Sequence, residues 1–318
     1  MRPSTVRPKF YFEIVAVIVG IVCLIYLPSR LDAYYLHLFQ ICGIGVILVL
    51  GLNIFLGHCG QIHFGVGAHY CIGAYLSALL ILKLGLHFFI AFPIALLLCV
   101  LISAVLGKIL LKLRELMLAL GTLTLAFIVY LTVFSVWRAG LGGDDGLSLP
   151  SLMLGTHELG GLFTWYFILA WVIACFLLTQ YLTESRIGRA WKAIREDESA
   201  AEAMGINVTH YTNLAFIFCG TFAGLAGILL TLQSRWIGPD YFRIMTSTWV
   251  LGGVVIGGMG SNFGMLIAAP IVWLMPEVLV RTRDYEMVIT GVLLFLVLRF
   301  GRQGLWPSLS DLIRRAPR

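Results

Sequence analysis

Charge is what this sequence has least of. Asp, Glu, Lys and Arg make up 12% of its 318 residues, 60% are hydrophobic, and the mean hydropathy is +0.95. A soluble domain carries about 25% charged residues, so this chain has too little polar surface to cover itself in water. A bilayer removes that requirement, and the length fits one membrane domain, residues 1–318, of many spans. The phosphate-cradling pattern GxxxxGK[ST] is missing, since Gly107-Lys108 lacks the rest of it; that argues against ATP hydrolysis by this chain. No CxxC pair occurs. The seven cysteines are Cys23, Cys42, Cys59, Cys71, Cys99, Cys175 and Cys219, nearly all inside apolar runs, where a free thiol behaves as a small hydrophobe. The net charge of +6 forms no basic stripe, so nucleic acid is not an expected partner. No small-residue cleavage site ends the first apolar run after Arg2, Arg7 and Lys9, so it reads as a helix and not a signal peptide.

What is present is a series of apolar runs long enough to span. They lie at 10–28, 34–56, 64–83, 87–106, 116–136, 164–182, 211–232, 246–260, 264–280 and 287–300. The expectation is an all-α integral membrane protein of about ten transmembrane helices. The two short runs beside Gly260 read as a helical hairpin or as half-helices. With the N-terminus cytoplasmic and the runs alternating, 15 of the 22 basic residues fall inside, as the positive-inside rule requires. Arg30, Lys83, Arg138, Arg235, Arg243, Arg281 and Arg283 fall outside. Both tails are basic, which requires an even number of spans and places both termini in the cytoplasm.

Two loops exceed what connection needs, and loops carry function on a rigid scaffold. The outer one, 137–163, contains Gly142-Gly143-Asp144-Asp145-Gly146. The inner one, 183–210, looks helical. Arg186, Arg189 and Lys192 recur at helical spacing and face water or headgroups. Asp197 then caps a second short helix through Ala200, Ala201 and Ala203, and Gly205 stops it. Such a small-residue helix has little to bury by itself and suits a groove on a partner; the alternative is a solvated amphipathic linker.

At this loop a family resemblance enters. Glu198-Ser199-Ala200-Ala201-Glu202-Ala203-Met204-Gly205 resembles the cytoplasmic coupling loop of ABC importer permeases, and with the preceding basic helix it resembles the branched-chain amino acid and urea permease family. Further stretches match along the chain: Asn53 to Gln61 continuing to Tyr75, Leu118 to Leu123, Gly142 to Leu147, Val254 to Gly264 with Pro276-Glu277, and Gly304-Leu305. His63 stands where the family usually has Ser, Val66 where it has His, His69 where it has an aromatic, and Met265 where it has Pro. The resemblance covers residues 40 to 306 and implies an inverted-repeat importer permease fold in a bacterial inner membrane. Glycine-rich segments at 57–73 and 252–264, with the second span directed inward and the seventh outward, fit such a repeat. It implies Asp197, Glu198, Ala200, Ala201, Glu202, Ala203 and Gly205 as the helix that meets an ATPase. It also implies two separate ATPase subunits using ATP and Mg, a second homologous permease, and an external solute-binding protein. No cofactor is expected on this chain itself.

The function this implies is a permease subunit of an ATP-driven importer for small polar solutes, branched-chain amino acids first, urea, short amides or small organic acids as alternatives. An ion-coupled transporter would keep ionisable residues deep in its spans, whereas Glu13, Lys83, Lys108 and Glu277 sit near span ends. An intramembrane aspartyl protease would need GxGD, and residue 141 is Leu; no catalytic residue is assigned. His58, His63 and His69, spaced five and six apart, do not share a helix face, so packing histidines are expected and not a metal site. Polar side chains within spans supply the pathway candidates: Gln40, Asn53, Gln61, Thr122, Thr124, Tyr130, Ser247 and Thr248. For Thr122 and Thr124 the alternative is a hydroxyl bonded back to its own helix.

Overall fold

A computed structural model describes residues 32–278, apart from Arg114 and residues 137–144, 151–152, 155–156 and 159, together with Arg30 and Gly291. The runs expected at 10–28 and 287–300, and Gly142 to Asp144, lie outside the described residues.

Among the described residues six helices are long and apolar enough to cross a membrane. They are α1 (Ala33–Leu52, extended by a π turn at Asn53–His58), α2 (Val66–Leu84), α3 (Phe88–Leu110), α4 (Glu115–Leu131, extended by a π turn at Thr132–Val136), α5 (Gly161–Glu184) and, after two short helices, α8 (Val208–Gln233). The short helices are α6 (Arg186–Glu196) and α7 (Glu198–Ala203), and the chain continues into α9 (Ile244–Gly257) and α10 (Asn262–Val278).

A helix apolar on every side has no wet face to present and goes to the centre of a bundle or to lipid. Burial separates the two fates here. In their most apolar windows, 83% of α1 and 78% of α8 are buried, against 28% of α3, 28% of α4 and 22% of α5. So α1 and α8 form the centre. α8 packs on α1, α2 and α3, while α1 also meets α5, α9 and α10. Apolar burial has no drive to bring helices together inside lipid, so close contact needs small residues. The α2–α8 crossing supplies them: a Cβ on Gly73 would collide with the backbone of Gly224, and one on Gly227 would lie 2.7 Å from the nitrogen of Ala74.

The runs flanking Gly260 fold as a helical hairpin. α9 has 14 residues, about 21 Å of rise against about 30 Å of hydrocarbon, so α9 does not span alone. Gly258 and Gly260 turn the chain at φ +94° and +87°, which glycine adopts without strain.

One departure from an all-helical reading lies in the outer loops. Leu147–Ser148 (β1) pairs antiparallel with Trp236–Ile237 (β4), and Met153–Leu154 (β2) with His157–Glu158 (β3). Two-residue ladders leave no hydrophobic period to read in sequence; they form because loop N–H and C=O groups need partners. The Trp236 indole adds a bond to the Asp145 carbonyl at 2.9 Å, and Leu149 N–H one to the Arg235 carbonyl at 2.7 Å. Two segments expected outside thus meet at one end. Residues 57–60, 183–196 and 258–262, all expected inside, meet at the other.

Candidate coupling face and polar core

The inner loop folds as expected from its residues. Ser185 caps α6 by accepting from Ile187 N–H at 3.1 Å. Gly188, Ala190, Trp191 and Ile194 form the buried stripe of α6, and Arg186, Arg189 and Lys192 are exposed opposite it. Trp191 is fully buried, and its indole donates to the Tyr211 carbonyl at 2.8 Å, tying α6 to the first turn of α8.

Asp197 is the N-cap of α7, its carboxylate accepting from Ala200 N–H at 2.9 Å. Gly205 closes the helix at φ +84°, Gly205 N–H bonds the Glu202 carbonyl at 2.9 Å, and Ile206 N–H bonds the Ala201 carbonyl at 3.1 Å. Ala201 alone of this helix is buried and anchors it. Glu198, Ser199, Ala200, Glu202 and Ala203 are exposed, and Met204 after them is 84% exposed. An apolar side chain that open, beside small residues and two carboxylates, makes a low, shallow ridge at the inner end.

The pathway candidates divide. Gln40 is buried at the outer end and donates to the Gly161 carbonyl at 2.8 Å. It lines a cavity of about 100 Å³ with Pro150, Thr164, Thr231 and Gln233. Thr122 is fully buried: its hydroxyl donates to the Ala119 carbonyl and accepts from Phe64 N–H at 3.1 Å, fixing the strand of chain that leads into α2. Ser247 accepts from Gly67 N–H at 3.0 Å. Thr124 is exposed and bonds back to the Leu120 carbonyl at 2.9 Å, and Thr248 bonds back to that of Ile244 at 3.4 Å. Tyr130 is half-buried and stacks on Phe134, and Gln61 is half-buried.

Asn53 is the centre of a network that reading along the chain missed. Its Oδ1 accepts from Gly260 N–H at 2.9 Å and its Nδ2 donates to Asn262 Oδ1 at 3.1 Å. His58 Nε2 meets that same oxygen at 3.0 Å. Asn262 Nδ2 donates to Gln180 Oε1 at 3.0 Å and lies 3.3 Å from Thr183 Oγ1. The available signal was a handful of amides at the ends of apolar runs; which of them meet depends on how the runs pack.

His63 and His69 pack edge-on to each other, centroids 5.7 Å apart, and around Phe216, with Phe55 also on His63. Burial, with His69 beside it, holds the His63 imidazole well below its ordinary pKa, so it is neutral. Among the described residues, the buried polar side chains are amides, hydroxyls and imidazoles, and none is a carboxylate, ammonium or guanidinium. The six described cysteines are buried and unpaired.

The described interior thus offers amides, hydroxyls and neutral imidazoles as polar groups, beside a helical ridge turned outward. The chain is 31% identical to the high-affinity branched-chain amino acid transport system permease protein LivM of Salmonella typhimurium and 32% identical to that of Escherichia coli K12, in each case over 96% of this chain and 76% of the relative. It is 30% identical to the permease protein LivH of Escherichia coli K12, over 49% of this chain and 54% of that one. No solved structure matches it. Residues 34–298 match the family described as branched-chain amino acid transport system / permease component. The chain belongs to that family of membrane permease components.

Proposed function

We propose that this chain is the permease subunit of an ATP-driven importer of branched-chain amino acids, a single membrane domain of inverted-repeat architecture in the bacterial inner membrane with both termini in the cytoplasm. The observation that carries the reading is the likeness to LivM over 96% of the chain, which takes in the inner loop as well as the spans. Energy then comes from outside this chain. Two ATPase subunits use ATP and Mg, and one of them docks on α7, through Asp197, Glu198, Ala200, Ala201, Glu202, Ala203 and Gly205. A second permease, homologous to this one, completes the pathway, and an external binding protein delivers the solute to the end where β1 and β4 pair.

The interior supports the substrate class. A zwitterion is met by amides, hydroxyls and helix ends in place of buried charges, which leaves the apolar side chain as the feature the pathway accommodates. Gln61, Thr124, Tyr130 and Thr248 keep exposure for that contact, while Gln40, Asn53, Thr122 and Ser247 shape the walls behind it.

The test is reconstitution of the assembled complex in proteoliposomes. ATP-dependent uptake of leucine, isoleucine or valine, stimulated by loaded binding protein, is the expected result. Uptake that follows an ion gradient with no ATP would sink the proposal.

A further inference from the structure

The inner end of the molecule holds a closed circuit of polar contacts. At Asn53–His58 the helix of α1 widens into a π turn, which interrupts the regular i→i+4 ladder. There the Gly57 carbonyl is taken by the Arg195 guanidinium of α6. From the same turn Asn53 reaches the α9–α10 hairpin through Gly260 N–H and Asn262. Asn262 continues to Gln180 and Thr183 on the last turns of α5. α5 runs through the Ser185 cap into α6, and α6 returns the circuit to Arg195. Small residues make room for it: a Cβ on Gly60 would lie 2.9 Å from Arg195 Cγ, and one on Gly260 3.0 Å from its Nη1.

Three segments far apart in sequence, 53–57, 180–195 and 260–262, are thereby held in one register. Apolar side chains slide past one another at little cost, whereas directed hydrogen bonds hold or break as units; Asn53 and Asn262 of this circuit are buried, and Arg195 reaches the Gly57 carbonyl from the exposed inner face. Among the described residues α7 shows no such hydrogen bond to the spans; it packs on α6 and leads directly into α8. We infer that Arg195 is the positioning residue through which displacement of α6 moves the inner end of α1 and the α9–α10 hairpin together, with Asn53 and Asn262 extending the link to α5. This rests on the reading above that an ATPase acts on α7.

The experiment measures amino acid moved per ATP hydrolysed, in proteoliposomes of the whole complex with loaded binding protein. A wild-type complex without ATP-driven uptake would overturn the importer reading and this inference with it. With a working wild type, Arg195→Met lowers the ratio about tenfold while ATP hydrolysis persists, within the range of ordinary coupling energies. Arg195→Lys, which still offers a donor to the Gly57 carbonyl, recovers part of it. Gln180→Met lowers the ratio too, and the double variant is no worse than Arg195→Met, as members of one circuit require. A ratio unchanged by these substitutions, or a loss that only tracks a falling melting temperature, would show that Arg195 has a structural role alone. Should Arg195→Met fail to assemble, Arg195→Lys and Gln180→Met decide the matter by the same ratio.

Discussion

Single residues in this molecule are governed by the cost of keeping a polar group dry. His63 leaves both ring nitrogens without a partner inside the fold, and an unmatched buried polar group costs about 1–3 kcal/mol. Unfolded, this imidazole titrates near its ordinary 6.5; folded, burial holds it well lower. Above about pH 6.5 both states are neutral; as pH falls below it, only the unfolded chain takes up the proton and stability declines. His63→Phe keeps the aromatic packing against Phe55 and Phe216 and removes both nitrogens. The variant is expected to melt no lower than wild type at pH 7.5 and to lose less on acidification to about pH 5, read from tryptophan fluorescence in detergent. Cys59 shows the same physics on a thiol. Burial pushes its pKa up to about 12, and the thiolate is the reactive form. Maleimide at pH 8 is therefore expected to leave Cys59 unmodified in the folded protein and to label it after denaturation, as mass spectrometry would report.

At the scale of elements the constraints become geometric. The α2–α8 crossing exists because Gly73 and Gly224 have nothing between them. Gly73→Val is expected to separate the helices and destabilise the protein by about 1–3 kcal/mol, visible as a lower midpoint in thermal unfolding. α7 depends on its two ends. Gly205 sits at φ +84°, a conformation that costs an L-residue about 1–2 kcal/mol. In Gly205→Ala the last turn frays, and the Ile206 amide, now bonded to the Ala201 carbonyl, exchanges its hydrogen about five- to thirtyfold faster. Unchanged exchange there would mean that the cap holds without glycine.

For the whole molecule the testable quantity is sidedness. Met204 on the α7 ridge and Asp240, exposed in the loop after β4, belong to opposite ends. A charged maleimide added to intact cells or right-side-out vesicles should label Asp240→Cys and spare Met204→Cys, and inside-out vesicles should reverse the pattern. The six described native thiols, at Cys42, Cys59, Cys71, Cys99, Cys175 and Cys219, are buried, and Cys23→Ser removes the remaining one. Labelling of both positions from the same side would break the alternating arrangement.

What the sequence by itself determined is the class of molecule and the ends of its elements. Scarce charge and long apolar runs require a bilayer, because no folding of such a chain covers it with polar surface. The Asp197 cap and the Gly205 stop of α7 were legible because capping is local: a carboxylate reaches an amide three residues on, and a positive φ asks for glycine. Lys and Arg counts assigned each loop an expected side; among the described residues, 147–149 meets 235–237 at one end, and 57–60, 183–196 and 258–262 meet at the other. Tertiary structure decided which runs are central, since α1 and α3 are both apolar throughout yet 83% and 28% buried in their most apolar windows. It also decided the fate of each polar side chain. Asn53 and Asn262 are 209 residues apart, and Thr122 meets the backbone of Phe64 across 58. A hydrogen bond is specified by position in space to a few tenths of an ångström, and only packing sets that position. For the same reason Arg195, read along the chain as one of several inner cations, has its partner at Gly57 only once α6 lies beneath α1.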